Sequence, residues 1–490
     1  MNILSRLEQK QVANGLYLLF SIQLILFVSI FFTNKANNDV YYQLLATEKI
    51  ISDFDFSSVP PHPIGIPIIA SIILKMGFEP IIFFQWISPI LIGLIFFFIF
   101  FSLKSLGKIE AVIIAFLNCT NLSFLKSFNQ FNAEILAYFF ISVLIFLCSK
   151  FIVSKESQSK KNIFFIFLFS IGTVLIRDAF IFLVIGAFSF LYFQFGRKYT
   201  KQLFIASVAF LAIFIPRIFF FNAASHNIYF DFNLTTLLER SSFVAENFSS
   251  YFKLTPELVL PQILHLKPFN FLIALLLTIL FFIQLKNYRS EKDFIKRSNK
   301  IIFLFLSMGF IYLLGMLASA FIFKVKTGYY YRISGVLLFF LTVPFWYYIK
   351  EFNLFKLKRY FILIVIILGQ MKYFFAVRYE LINSKHRFLH LDQSIINKKI
   401  ITNTKNNSND DDIYIYAGKS WKGRNLFFML KYFNYVEKNN RNIYGVEHLD
   451  EGMYVFVVNE DIESIDAKIL ENFNRVELFE KQVTLLEPYK

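Results

Sequence analysis

Long apolar runs broken by short polar segments fill most of the chain. A bilayer core about 30 Å thick takes about 20 apolar residues per helix, and about eleven windows of that kind can be counted. They span 15–33, 82–104, 109–126, 131–150, 162–176, 178–195, 202–221, 268–285, 301–323, 333–349 and 360–376. Only Arg177-Asp178 separates the windows 162–176 and 178–195, so these form either a tight helical hairpin or a single region. The polar segments alternate in kind. If the N-terminus is inside, the inner segments are "SLKSLGK", "KFIVSKESQSKK", "GRKYTK", "KNYRSEKDFIKRSNK" and "KEFNLFKLKR", all dense in Lys and Arg. The outer segments 34–81, 127–130, 177–178, 222–267, 324–332 and everything after 376 are longer and poorer in basic residues per length. Lys and Arg in short loops stay on the cytoplasmic side, so the pattern predicts a multi-pass cell (inner) membrane protein. Its N-terminus is expected in the cytoplasm and its C-terminal part outside. The leading "MNILSRLEQKQVANG" has the charge of a signal peptide, but no small-residue cleavage site follows, and an uncleaved first span is expected.

After residue 376 the pattern changes to polar sequence with short alternating runs. "DIYIYAG" (412–418) and "MYVFVVNE" (453–460) predict strands, and "GRNLFFMLKYFNYV" and "DIESIDAKILENF" predict helices. The expected fold is an all-α transmembrane bundle over 1–376, with interfacial helices in its first outer loop, followed by a small α/β domain over 377–490. No internal repeat of fixed period stands out, which weakens a transporter built from inverted halves.

Composition agrees with this picture. Of the 490 residues, 56% are hydrophobic, 68 are Phe and only 17% are charged, which argues against a water-soluble globule. The formal net charge of +16 follows topology, because the basic residues cluster between apolar runs, and no nucleic-acid partner is expected. Cys119 and Cys148 both fall in apolar runs without ligand-like spacing, so neither a disulfide nor a zinc site is supported.

Charged residues at the ends of spans are costly and therefore informative, and nearly all of them lie on the predicted outer side. Asp39 follows the first span in "NNDVYYQLLA". Val40, Leu44, Thr47 and Ile51 then share one side at helical spacing, which predicts a helix in the interface with its apolar face in the lipid headgroups. Asp39 at its start is either a helix cap or a carboxylate kept ionised by the helix dipole. In "VPPHPIGIPIIASIILKMG", the stretch Pro60–Pro67 predicts a rigid non-helical turn, and Ile68–Met76 a second interfacial helix. His62 in that turn is either a solvated loop residue or a donor to a phosphate or sugar hydroxyl. In "FNQFNAEILAYFF", Glu134 enters the fourth span two residues after Asn132, as a first-turn acid or as a side chain facing a cavity. Arg177 and Asp178 are either a mutually neutralising pair or part of a site. Arg332, behind Tyr329, Tyr330 and Tyr331 in "KVKTGYYYRISG", suits an aromatic belt with its anchor, or bidentate binding of a phosphate.

Taken in order, "DVYYQLLA" after the first span, "HPIGIP" before the second, the acid opening the fourth and the arginine after the fifth resemble the GT-C glycosyltransferases. The similarity is greatest to the bacterial protein mannosyltransferase and aminoarabinose transferase branch. It covers most of residues 1–200 and extends more loosely, through "YYYR", to about 376. The sequence departs from that pattern at Asp39-Val40, where many members carry Asp-Glu or Asp-x-Asp, and at Asn132-x-Glu134, which is not a pair of acids. A metal-free mechanism is therefore expected, with a divalent cation left open as cofactor. The resemblance implies inverting transfer of a sugar from a polyprenyl-phosphate carrier to a glycolipid, glycan or protein acceptor on the outer face. Asp39 would then be the general base and Glu134 a second catalytic group. His62, Arg177, Asp178, Tyr330, Tyr331 and Arg332 would bind substrate, and the 222–267 loop would form a lid or acceptor-binding segment. Two other readings compete. An O-antigen-type polymerase or ligase calls for Arg-rich outer loops, and a lipid or solute transporter calls for acids near mid-span.

Overall fold

The computed structural model describes residues 11, 13–25, 44, 47, 51, 64–78, 80–119, 133–154, 156–226, 278–279, 281–283, 285–286, 297–323, 336, 339–345, 347, 413–416, 442–443, 454–462, 465, 467–478 and 483–488. These residues are mostly helical, with a small sheet near the C-terminal end. Among the described residues four stretches are long and apolar enough to cross a membrane, Trp86–Leu106, Glu134–Val153, Asp178–Phe195 and Asn299–Met316, as a membrane-associated chain requires. The expected spans 15–33, 109–126 and 162–176 include the shorter helices α1 (Ala13–Ile25), α4 (Lys108–Cys119) and α6 (Lys160–Ile176). Windows 268–285 and 333–349 are described in part, and 360–376 lies outside the described residues.

The order of contacts fixes the direction of each helix. Tyr17 of α1 stacks on Phe96 of α3 (Pro80–Leu103) with centroids 5.2 Å apart. A Cβ at Gly93 would sit 3.1 Å from Ile25, so α1 runs antiparallel to α3. The tight turn between α5 (Ala133–Val153) and α6 makes those two antiparallel as well. Ser159 caps α6 by accepting from the Asn162 N–H at 3.3 Å, and the Asn162 side chain donates to the Ser157 carbonyl at 2.5 Å. At Arg177 the backbone is extended (φ −147°, ψ 103°), and a short 3-10 turn, Asp178–Phe180, leads into α7 (Ile181–His226). The windows 162–176 and 178–195 are thus two helices packed as a hairpin. α7 breaks at Tyr199, whose backbone is not helical, between the expected spans 178–195 and 202–221.

α7 and α8 (Arg297–Phe323) lie antiparallel, Phe190 meeting Phe303 at 5.5 Å and a Cβ at Gly186 falling 2.7 Å from the Met308 Cα. At the other end of this contact Gly315 faces the Phe182 ring. In lipid, apolar surface gains little by moving from acyl chains to protein, so association depends on close van der Waals fit, which small residues permit. Phe281, in the expected span 268–285, stacks on Phe310 at 4.3 Å. The described residues of 336–347 run back along α8, from Phe340 against Gly309 to the Tyr347 hydroxyl, which donates to Asn299 Oδ1 at 3.0 Å. Buried hydroxyls in the helices mostly donate to the carbonyl one turn earlier, as Ser142 does to Tyr138 and Ser170 to Ile166, both at 2.7 Å. Ser142 and Ser170 therefore carry no unmet polar cost into the apolar core.

The segment expected to form the first outer loop departs from expectation in two places. Leu44, Thr47 and Ile51 are helical, but Leu44 and Thr47 are fully buried. At these positions the face expected in lipid headgroups turns into the protein. The second helix, α2 (Gly65–Lys75), begins three residues before Ile68 and takes Pro67 into its first turn. A first-turn residue has no intrahelical partner for its N–H, so proline costs nothing there. The helix ends on Gly77 at φ 84°, with Gly77 N–H bonding Leu74 O at 2.9 Å and Phe78 N–H bonding Ile73 O at 3.1 Å. This double closure satisfies carbonyls that the last turn would leave open.

The C-terminal sheet has strand order β2-β1-β3-β5-β4, built from β1 (Ile413–Tyr416), β2 (Asn442–Ile443), β3 (Tyr454–Val458), β4 (Phe473–Leu478) and β5 (Val483–Pro488). β1 lies parallel to β2 and β3, while β3-β5 and β5-β4 are antiparallel. The two predicted strands are present as β1 and β3. The predicted helix "DIESIDAKILENF" is present as two short α-helices, Asn459–Ile462 and Ala467–Leu470, after which Phe473 opens β4. Val455, Val457 and Leu486 form one buried face with Ile465, Leu470 and Phe473. The predicted helix "GRNLFFMLKYFNYV" lies outside the described residues.

Candidate functional site

Lysines at the ends of α5, α6 and the two halves of α7 gather at one end of the bundle. Lys150 lies in the last turn of α5, Lys160 and Lys161 open α6, and Lys198 and Lys201 flank the break in α7. The Tyr199 hydroxyl donates to the Gln158 carbonyl at 2.5 Å, which puts these segments at one end. Glu134, in the first turn of α5, and Arg177, just past α6, share the other end because the two helices are antiparallel neighbours.

There Arg177 Nη1 and Glu134 Oε1 form an ion pair at 2.7 Å, with Glu134 1% and Arg177 22% exposed. Glu134 also lies where the α5 dipole favours a negative charge. The extended backbone of Arg177 releases its side chain from the helical path and lets it reach across to α5. A guanidinium has five N–H donors in a planar fork, and the short contact to Glu134 Oε1 is made through Nη1 alone. At 22% exposure the Arg177 side chain is only partly covered, so a second anion can reach it.

One turn below Glu134, Tyr138 is fully buried. Its ring meets Phe180 edge-on at 6.0 Å and Phe339 at 5.3 Å, and Phe180 in turn meets Tyr312 at 6.5 Å. Such pairs contribute about 0.5–1.5 kcal/mol each beyond area burial. This aromatic floor joins α5, the 3-10 turn that precedes α7, α8 and the helix containing Phe339. Tyr138 had escaped the sequence reading, although its place four residues after Glu134 puts the two on one helix face.

The described part of the segment between α1 and α3 reaches the same end. α1 and α3 both turn toward it, and α2 between them packs on the C-terminal end of α6. A Cβ at Gly65 would sit 2.7 Å from the Leu175 carbonyl oxygen and 2.8 Å from Ile176 Cγ1, immediately before Arg177. Within "HPIGIP", glycine is therefore the residue that lets the segment seat beside the ion pair. Gly65→Ala is expected to push α2 off Leu175 and to expose the loop to limited proteolysis at lower protease concentration than in the parent. An unchanged digestion pattern would mean that the contact does not hold the loop.

Of the sequence candidates, Glu134 and Arg177 are brought together and Asp178 follows in the 3-10 turn, half-buried. Asp39, His62, Tyr330, Tyr331 and Arg332, and the whole 222–267 loop apart from the end of α7, lie outside the described residues. Among the described residues no three His, Cys, Asp or Glu side chains gather as a metal-binding group. No protein-family model matches the sequence, and no curated protein matches it significantly.

Proposed function

We propose that this chain is an inverting membrane glycosyltransferase that moves a sugar from a polyprenyl-phosphate carrier to an acceptor at the outer face. The observation that carries the reading is the seating of α2, which begins at Gly65, against Leu175 and Ile176 next to the Glu134–Arg177 pair, so that separated sequence features meet at one end of the bundle. The lysines at the opposite end support placing this site away from the cytoplasm.

The chemistry assigned to the site is limited and specific. Asp39 takes the proton from the acceptor hydroxyl as that oxygen attacks the anomeric carbon from the face opposite the carrier phosphate. The C–O bond to the phosphate breaks, and the carrier leaves as an anion that needs charge stabilisation more than a proton. Arg177 supplies part of that stabilisation, with Arg332 and His62 as further donors. Glu134 holds the guanidinium in place, because a charged side chain already held by one contact loses little freedom when the phosphate arrives. Glu134 also opens its helix and does not lie at mid-span, which weighs against an ion or solute pathway.

Mass spectrometry of envelope glycolipids and glycoproteins from cells with and without this chain tests the proposal. The expected result is the loss of one sugar-sized mass from a defined acceptor, restored by the purified protein and a polyprenyl-phosphate sugar. Identical spectra together with no transfer in the purified system would reject it.

A further inference from the structure

The lysine-bearing end of the bundle contains a second arrangement that the transfer reaction does not use. Around the break in α7, Lys198 and Lys201 are exposed, and Lys160 and Lys161 are exposed at the start of α6. The bond from the Tyr199 hydroxyl to the Gln158 carbonyl ties the two segments together. Lys198 sits over the Tyr199 ring at 5.1 Å, and Lys161 over Phe165 at 6.0 Å, so aromatic faces steady both ammonium groups. Immediately inward, large apolar side chains face outward on both helices. Phe164 is 58% and Leu168 47% exposed on α6, one turn apart, and Phe204 is 60% and Ile205 55% exposed on α7.

Cations at a rim with an apolar surface just inside it match one kind of molecule, an anion attached to acyl chains. We propose that the α6 start and the α7 break form a binding site for an anionic phospholipid. Lys160, Lys161, Lys198 and Lys201 hold its headgroup phosphate, and Phe164, Leu168, Phe204 and Ile205 line its chains. A free phosphate would satisfy the lysines but leave the apolar surface unused. Polybasic segments gain attraction with each Lys near an anionic surface, and the four lysines act on one headgroup here.

Native mass spectrometry of the full-length protein in detergent, with phosphatidylglycerol or phosphatidylcholine of matched chains, tests the site. The expected result is about tenfold tighter retention of phosphatidylglycerol. This preference should fall to the phosphatidylcholine level in the Lys160→Gln, Lys161→Gln, Lys198→Gln, Lys201→Gln variant and persist in Lys75→Gln, which alters an exposed lysine at the other end. Thermal unfolding of the fourfold variant, unchanged because all four side chains are exposed, shows that the fold is intact. Equal retention of the two lipids, a preference that survives the fourfold change, or displacement of the lipid by millimolar inorganic phosphate would overturn the proposal.

Discussion

Asp39→Asn is expected to lower sugar transfer by about a thousandfold while leaving membrane insertion and carrier binding close to the parent. Asparagine has the size and polarity of aspartate but accepts no proton at neutral pH, and general-base catalysis contributes about 10²- to 10⁴-fold. The loss should therefore appear in turnover, with the apparent affinity for the lipid donor little changed. Single-turnover assays with pre-bound polyprenyl-phosphate sugar separate the two. If Asp39 only caps a helix, the replacement is mild, since Asn and Asp cap about equally well. Near-normal turnover would remove Asp39 as the base and leave it as a cap.

Arg177→Ala has the largest expected effect on both stability and transfer. It removes the guanidinium 2.7 Å from Oε1 of Glu134, a 1% exposed carboxylate. Breaking a buried pair from one side costs about 3–5 kcal/mol, and Arg177 is partly exposed, so a value near the lower limit is expected. Thermal unfolding in detergent should show a clear fall in midpoint. The double variant Glu134→Gln, Arg177→Gln should recover much of that stability, because no buried charge remains, yet transfer should stay low for want of the phosphate-facing cation. Recovery of transfer together with stability would make the pair structural only.

The sequence carried these two residues as separate candidates, and the reason they meet was not legible in it. Apolar run length locates spans well, since a helix in lipid must satisfy its own backbone. Pairing between spans depends on where a helix stops and on the one residue that leaves its path, here Arg177 with its extended backbone. Helix starts were legible to within a turn, and the misjudged start of α2 traces to treating Pro67 as a breaker in the one turn that tolerates it. β4 and β5 were missed for another reason. The run "DAKILENF" has helical spacing over its first residues, and only the pairing of Phe473–Leu478 with Val483–Pro488 decides for a hairpin. Tyr138 was obscured by its surroundings, since one more aromatic residue among 68 Phe gives no signal until its neighbours are known.

The contact between α7 and α8 bears on how such a site can open. Gly186 against Met308 and Gly315 against Phe182 pin the two helices at two levels. A slide of one turn, about 5.4 Å, would replace each glycine by a larger residue at a gap that has no room for a Cβ. The pair therefore behaves as a stator. In the proposed transfer reaction, motion that admits a carrier would then fall to α2, which presses on α6 at Gly65 and buries Ile66, Ala70 and Ile73, and to the extended backbone at Arg177 between α6 and α7.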